Sequence, residues 1–152
     1  MVRISNHFST MFKLIYEQDE RFLTWAAARI GVDRFRDDAR TIAYEKDGEL
    51  LAVIVFDGFS GSDMNMHVAS DGTRQWLTRE LLTAAFAYPF IQCGVRRVTG
   101  LVPAKNAAAL KFDQHLGFRR EGYHPCAARN GGDLISLGML REHCRFLPQG
   151  TA

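Results

Sequence analysis

The chain has 152 residues, 47% hydrophobic and 24% charged, with 19 basic against 17 acidic side chains and a net charge of +2. That balance belongs to an ordinary globular protein and excludes disordered, collagen-like and coiled-coil architectures. A chain of this length buries roughly 68–70% of its unfolded surface without disulfide or metal staples. The net charge is too small to argue for a nucleic-acid partner. There is no run of about 18 apolar residues, so no membrane-spanning helix is expected. The N-terminal stretch MVRISNHFSTMFKLIYEQDE has neither an unbroken apolar core nor a small-residue cleavage site, which points to a cytoplasmic protein.

Except for Lys13, Lys46, Lys105 and Lys111, the basic side chains are arginines. Guanidinium forks suit phosphates and carboxylates; a compositional bias of the source genome explains the skew equally well. Cys93, Cys126 and Cys144 are odd in number and widely spaced, which fits no disulfide framework and no zinc pattern. The five histidines form no close pair, and no metal site is expected.

The first third reads as helical. Phe22, Trp25, Ala26 and Ile30 fall on one helix face, with Gly31 as C-terminal cap. Phe8–Tyr16 reads as a further helical segment. A hairpin follows, TIAYEK and ELLAVIVF around Asp47-Gly48, a strong two-residue turn signal. DGFSGSD is a loop and MNMHVA, Met64–Ala69, a short strand. Asp71–Thr73 then opens a long helix whose buried face is Leu77, Leu81, Leu82, Ala85 and Phe86, ended or kinked by Pro89. RVTGLV reads as a strand that stops at Pro103. Asn106 is a good N-cap for NAAALKFDQHLG, and Gly117 its C-cap. Two last strands lie around Phe118–Ala128 and Leu134–Leu140, joined at Asn130-Gly131-Gly132. The tail after Arg141 is short and covers the sheet. The fold class is therefore α/β (α+β), one domain over 1–152. A mixed, mostly antiparallel sheet of about six strands is flanked by helices, with 1–40 helical, 41–140 the core and 141–152 a tail.

The run from Asn106 through Ala109 to Leu116-Gly117-Phe118, continued by Arg119-Arg120-Glu121-Gly122, resembles a hallmark of the GNAT N-acetyltransferase superfamily. The order strand, helix, strand, helix before it agrees, and the resemblance covers about Thr41 to Leu140. Small size and the sequence WLTRELLTAAFAYPF look like compact members encoded by phages and prophages. The resemblance implies acetyl-CoA as co-substrate, bound where the fourth and fifth strands splay apart, with the N-terminal part shaping the substrate side.

The chain departs from the family in its phosphate loop. The family pattern, Q/R-x-x-G-x-G/A at the start of the central helix, holds the pyrophosphate on backbone N–H groups. One register puts this pattern on Thr73-Arg74-Gln75-Trp76-Leu77-Thr78, where Arg74-Gln75 fits but Trp76 and Thr78 replace the small residues. The other, preferred here, shortens the loop: Gly72 allows close approach, Thr73 supplies a hydroxyl and Arg74 the countercharge. Against this, Gly72 also reads as a plain turn residue, Arg74 as solvated and Trp76 as core. The tyrosine that the family often carries seven residues after the asparagine, as acid for the leaving thiolate, is Asp113, which reads as a solvated helix residue unable to donate a proton when ionised. The glutamate some members carry five residues before the asparagine is Leu101.

Two functions follow. One is an acetyl-CoA-dependent N-acetyltransferase, in which a primary amine of a small molecule or protein attacks the thioester directly in a ternary complex. The other is a catalytically silent GNAT-fold module for binding or virion association. For the enzyme, the expected cofactor residues are Val68, Gly72, Thr73, Arg74, Gln75 and Asn106, with Val68 N–H as donor to the thioester oxygen and Asn106 beside the pantetheine arm. His67 is the expected base. Asn65, His67 and Ala69 share one face of their strand, and a histidine is the side chain whose ordinary pKa of about 6.5 suits base work near neutrality. A His67 packed under a helix on a backbone carbonyl is the competing reading. The acceptor is not legible in the sequence, and neither is the oligomeric state, with which a homodimer is compatible.

Overall fold

The computed structural model describes residues 10–148. In them β1 (Phe12–Ile15), α1 (Glu20–Ile30), β2 (Arg40–Lys46), β3 (Glu49–Asp57), β4 (Asp63–Ser70), α2 (Arg79–Ala87), β5 (Arg97–Pro103), α3 (Ala107–Leu116), β6 (Arg119–His124) and β7 (Leu134–Leu140) follow one another. The strands make one seven-stranded sheet in the order β1-β2-β3-β4-β5-β7-β6. Every neighbouring pair is antiparallel except β4 and β5.

Local chemistry sets the boundaries. The Asp19 carboxylate accepts from Arg21 N–H to cap α1, and Gly31 closes it in the left-handed region at φ 84°. The β2–β3 turn needs positive φ at both central residues, which Asp47 (51°) and Gly48 (85°) supply. Asp47 also accepts from and donates to the Met11 backbone, and so draws the N-terminal segment in as an edge strand. This corrects the expectation of a helical N-terminal third. Residues 12–15 are strand because they pair with Ala43–Lys46, while α1 is the helix foreseen. Phe8 and His7 lie outside the described residues.

β3 is buried along both faces from Leu51 to Asp57, which explains its almost unbroken apolar run. On one face Val53, Val55, Ala43 and Ala69 pack with Phe22 and Ala26 of α1. On the other, Ile54, Phe56, Met64 and Met66 meet α2 and α3. There Phe86 is fully buried among Phe90, Phe118 and Phe146, with ring centroids 6.4, 6.2 and 5.1 Å away. Burying each such ring contributes about 1.5–3 kcal/mol. Phe146 belongs to the tail, which therefore completes this core. Pro89 does end α2, but the chain continues as one wide π-type turn, Tyr88–Gln92, closed by Cys93 N–H to Tyr88 O at 2.9 Å.

β4 and β5 pair only at Asp63↔Arg97, Met64↔Val98 and Asn65↔Thr99. Beyond these, β4 continues for five residues against β3 and β5 for four against β7, and the two strands part. This leaves an unpaired strand edge on each side of a wedge, and buried or ligand-facing backbone groups there seek partners. α1 packs on β2, β3 and β4, leaving Leu101 of β5 exposed on that face.

Candidate active site

His67 sits on β4 two residues past the last β4–β5 pair, facing α1. Its Nε2 lies 2.9 Å from Oδ1 of Asp57, which is only 4% exposed at the end of β3. The hairpin register makes this contact. Val55 is paired with His67 and Asp57 with Asn65, so Asp57 and His67 are diagonal neighbours on one face. Burial pushes the Asp57 carboxyl up, but hydrogen bonds from His67, the Arg36 backbone N–H and the Asn65 side chain outweigh it and leave the group below the ordinary carboxylate range. An ionised Asp57 accepts, so Nε2 of His67 is the donor in this contact, and in a neutral ring Nδ1 is then the acceptor. The partner of Nε2 is thus a carboxylate, where the competing reading of His67 has a backbone carbonyl. Gly58, at φ 65°, lets Asn65 approach, because a Cβ there would lie 2.8 Å from its Nδ2.

A pocket of about 440 Å³ opens over this pair. Asp57 and His67 line it below, and Val32 and Phe35 from the α1–β2 connection wall it. The Phe35 ring lies 5.3 Å from the imidazole. Arg34, Arg36, Asp37 and Arg129 also line the pocket. Arg129, in the β6–β7 loop, reaches across to Asp33 at 2.7 Å. Asp38 anchors the same segment by accepting from Gly58 and Phe59 N–H at 2.9 Å each.

The other face of the wedge is organised by α2 and α3. Thr78 caps α2, its hydroxyl accepting from Leu81 N–H at 3.2 Å and donating to Tyr44 Oη at 3.1 Å. The N–H groups of Arg79 and Glu80 therefore remain at an open helix N-terminus. The expectation that Asp71–Thr73 opens this helix is corrected: it starts at Arg79, as in the first register. Asp71 is the reason. Its carboxylate accepts from both Thr73 N–H (2.9 Å) and Thr73 Oγ1 (2.7 Å), and these bonds hold it below its ordinary range. Gly72 takes the left-handed turn position at φ 89° with its N–H on Ser70 Oγ. The Gln75 N–H goes to Thr73 Oγ1, and its carbonyl Oε1 accepts from Lys46. The N–H groups of Gly72, Thr73 and Gln75 are thus spent internally, beside a negative charge. Arg74 is exposed. Trp76 is buried, donates to Thr73 O at 2.8 Å and meets Phe112 edge-on, so the indole is core.

Val68 lies on the stretch of β4 without a β5 partner, with its side chain against the α2–α3 core. Asn106 caps α3 through Oδ1, which accepts from Ala109 N–H at 3.1 Å. Asp113, on α3, turns toward β5: its Oδ2 is 4.0 Å from where a Cβ of Gly100 would lie, and Gly100 is the first β5 residue past the last pair with β4. Burial pushes this carboxyl up to about 6. That corrects the solvated, fully ionised aspartate expected from sequence. Leu101 is 48% exposed on the α1 side of the sheet.

The sequence reading missed Asp57, Phe35 and Arg36. The signal for Asp57 was present, since counting through the hairpin places it diagonal to His67. Nothing in the α1–β2 connection marked it as the roof of a pocket. Among the described residues no group of His, Cys, Asp and Glu is placed to hold a metal ion, and no helix is long and apolar enough to cross a membrane.

No family model matches the chain, and neither does any curated protein. Solved structures do. A spermidine/spermine N-acetyltransferase SpeG from Vibrio cholerae is 15% identical with a TM-score of 0.70, over 88% of this chain and 94% of that one. Ard1 from Thermoplasma volcanium is 13% identical with a TM-score of 0.69, over 85% and 97%. YncA from Salmonella typhimurium, a putative acetyltransferase solved with acetyl-CoA, is 17% identical with a TM-score of 0.64, over 85% and 93%. Against another SpeG structure the match spans 65% of that chain. Identity at this level speaks to architecture, and the chain has the fold of the GNAT N-acetyltransferases.

Proposed function

We propose that the protein is an N-acetyltransferase that moves an acetyl group from acetyl-CoA to a primary amine by direct attack in a ternary complex. The observation that carries this reading is the wedge between β4 and β5 with the Asp57–His67 pair on one of its faces. The unpaired edges of β4 and β5 offer backbone donors and acceptors to an extended amide-bearing arm. The open N–H groups of Arg79 and Glu80, with the Arg74 and Arg79 guanidinium groups, suit a pyrophosphate. In this reading Arg74 keeps the role expected of it, Gly72, Thr73 and Gln75 shape the loop, Asn106 Nδ2 faces the arm, and Val68 N–H is the donor to the thioester oxygen.

Acetyl-CoA supplies the activated acetyl group. The chain does the rest. Nδ1 of His67 takes the proton of the attacking amine, directly or through one water, and Asp57 stabilises the imidazolium that results. Asp113, whose burial keeps a proton on it near pH 6, faces the opposite side of the wedge and returns a proton to the leaving sulfur. The acceptor enters over the open face beside Leu101, under the α1–β2 connection.

The test combines two measurements. Calorimetric titration with acetyl-CoA reads binding, and thiol release in the presence of a primary-amine panel reads transfer. Saturable binding with amine-dependent thiol release is expected. No binding at millimolar acetyl-CoA contradicts the reading, and binding without transfer to any amine favours a silent binding module.

A further inference from the structure

The pocket over His67 carries a charge pattern that selects among amines. Of the groups around it, Asp57 is committed to His67, Asn65 and the Arg36 backbone, and Asp38 to the Gly58 and Phe59 N–H groups. Asp33 is committed to Arg129. The guanidinium groups of Arg34 and Arg36, by contrast, take no ion pair or hydrogen bond among the described residues. Asp37 is the one uncommitted carboxylate on the pocket lining. A guanidinium is a planar fork of N–H donors that matches an oxyanion and never loses its charge. The Arg129 charge is already set against Asp33, so Arg34 and Arg36 are the lining cations left for a ligand oxyanion. A ligand that cannot supply one leaves both forks without a partner, and that difference separates ligands.

We infer that the acceptor is a primary amine that also carries an oxyanion group, with the amine directed to His67 and the oxyanion to Arg34 and Arg36. This inference rests on the acetyltransferase reading and extends it to substrate class. The Phe35 ring lies against the imidazole and covers one side of the reacting end of the pocket. The exposed Arg129–Asp33 pair bridges the two loops that border the pocket, and an entering oxyanion competes with Asp33 for Arg129.

The test uses matched amines that differ in the anionic group: β-alanine against propylamine, 2-aminoethyl phosphate against ethanolamine, and spermidine as the polycation. Thiol release from acetyl-CoA gives kcat/KM for each, on the native protein and on the double variant Arg34→Gln, Arg36→Gln. A calorimetric acetyl-CoA titration accompanies every preparation. The anionic member of at least one pair is expected to lead both its partner and spermidine by about tenfold or more. The double variant is expected to bring that ratio below about threefold while acetyl-CoA still binds. The carboxylate and phosphate arms identify the oxyanion. A lead for spermidine or for the neutral amines overturns the inference, and so does a ratio that survives the double variant. Acetyl-CoA binding with no amine accepted also overturns it. Failure of acetyl-CoA to bind at all removes the acetyltransferase reading itself, a result the calorimetry separates from the others.

Discussion

The two faces of the β4–β5 wedge are built on different principles. On the α1 face, chemistry is concentrated in side chains: Asp57 and His67 at 2.9 Å, with Phe35 and two arginines over them. On the α2–α3 face it rests on backbone: unpaired strand edges, a helix N-terminus opened at Arg79, and one desolvated carboxyl at Asp113. A site made of backbone tolerates loss of sequence motif. Trp76 and Thr78 stand where the resemblance calls for small residues, and here the buried indole donates to Thr73 O while the threonine hydroxyl caps the helix. A site made of side chains has no such tolerance, and substitutions there should be felt in turnover first.

The sharpest way to break this division is His67→Ala. Turnover should fall by about 10²–10⁴ with acetyl-CoA affinity retained, measured by steady-state kinetics beside calorimetry. A variant that folds and turns over at the native rate would place the base elsewhere.

Asp113→Asn should separate stability from chemistry. The folded-state pKa of about 6 lies above the ordinary aspartate value of 3.8. The stability Asp113 contributes is therefore full below about pH 4 and lost as pH rises through about 6, after which the ionised group is a constant cost. Removing the charge should stabilise the protein at pH 8 by up to about 3 kcal/mol, discounted by partial solvent access, and by little at pH 3.5. Denaturant titrations at the two pH values read this directly. If Asp113 is also the acid, the same variant should lose the basic limb of its pH–rate profile.

On the backbone-built face, Arg74→Glu should weaken acetyl-CoA about tenfold, or 1.4 kcal/mol. Thr73→Ser should weaken acetyl-CoA less, since the donors of that turn are already spent on Asp71 and Ser70. The smallest effect on acetyl-CoA affinity belongs to Gly58→Ala, which acts on stability. Its φ of 65° and a Cβ 2.8 Å from Asn65 Nδ2 should cost about 1–3 kcal/mol. It should also loosen Asp57 without touching acetyl-CoA affinity, as melting temperature and calorimetry would show.

How much of this was legible in the sequence depends on how local the physics is. Asp47-Gly48, Gly31 and the Asn106 cap act within a few residues, and each does what its residue type implies. β1 was misread because four residues carry too little periodicity, and its conformation is fixed by pairing with β2 and by Asp47, 36 residues away from Met11. The start of α2 was misplaced because two N-cap candidates compete. Asp71 satisfies its own turn, and Thr78, backed by Tyr44 from β2, wins the helix. The face on which His67 lies was legible through strand alternation, whereas its contact with Asp57 needed the register of the hairpin. The raised pKa of Asp113 needed a burial that no helix pattern reports.

The central claim is that acetyl-CoA occupies the wedge between β4 and β5. It is tested most directly by titrating acetyl-CoA into isotope-labelled protein and following backbone amide resonances. The account predicts that the largest shifts fall on Met66–Ser70, on Gly100–Val102 and on Thr78–Glu80, with the α1–β2 connection little affected until an acceptor amine is added. Shifts confined to the α1 face or the outer strands β1 and β6, or a spectrum unmoved at millimolar acetyl-CoA, would contradict it.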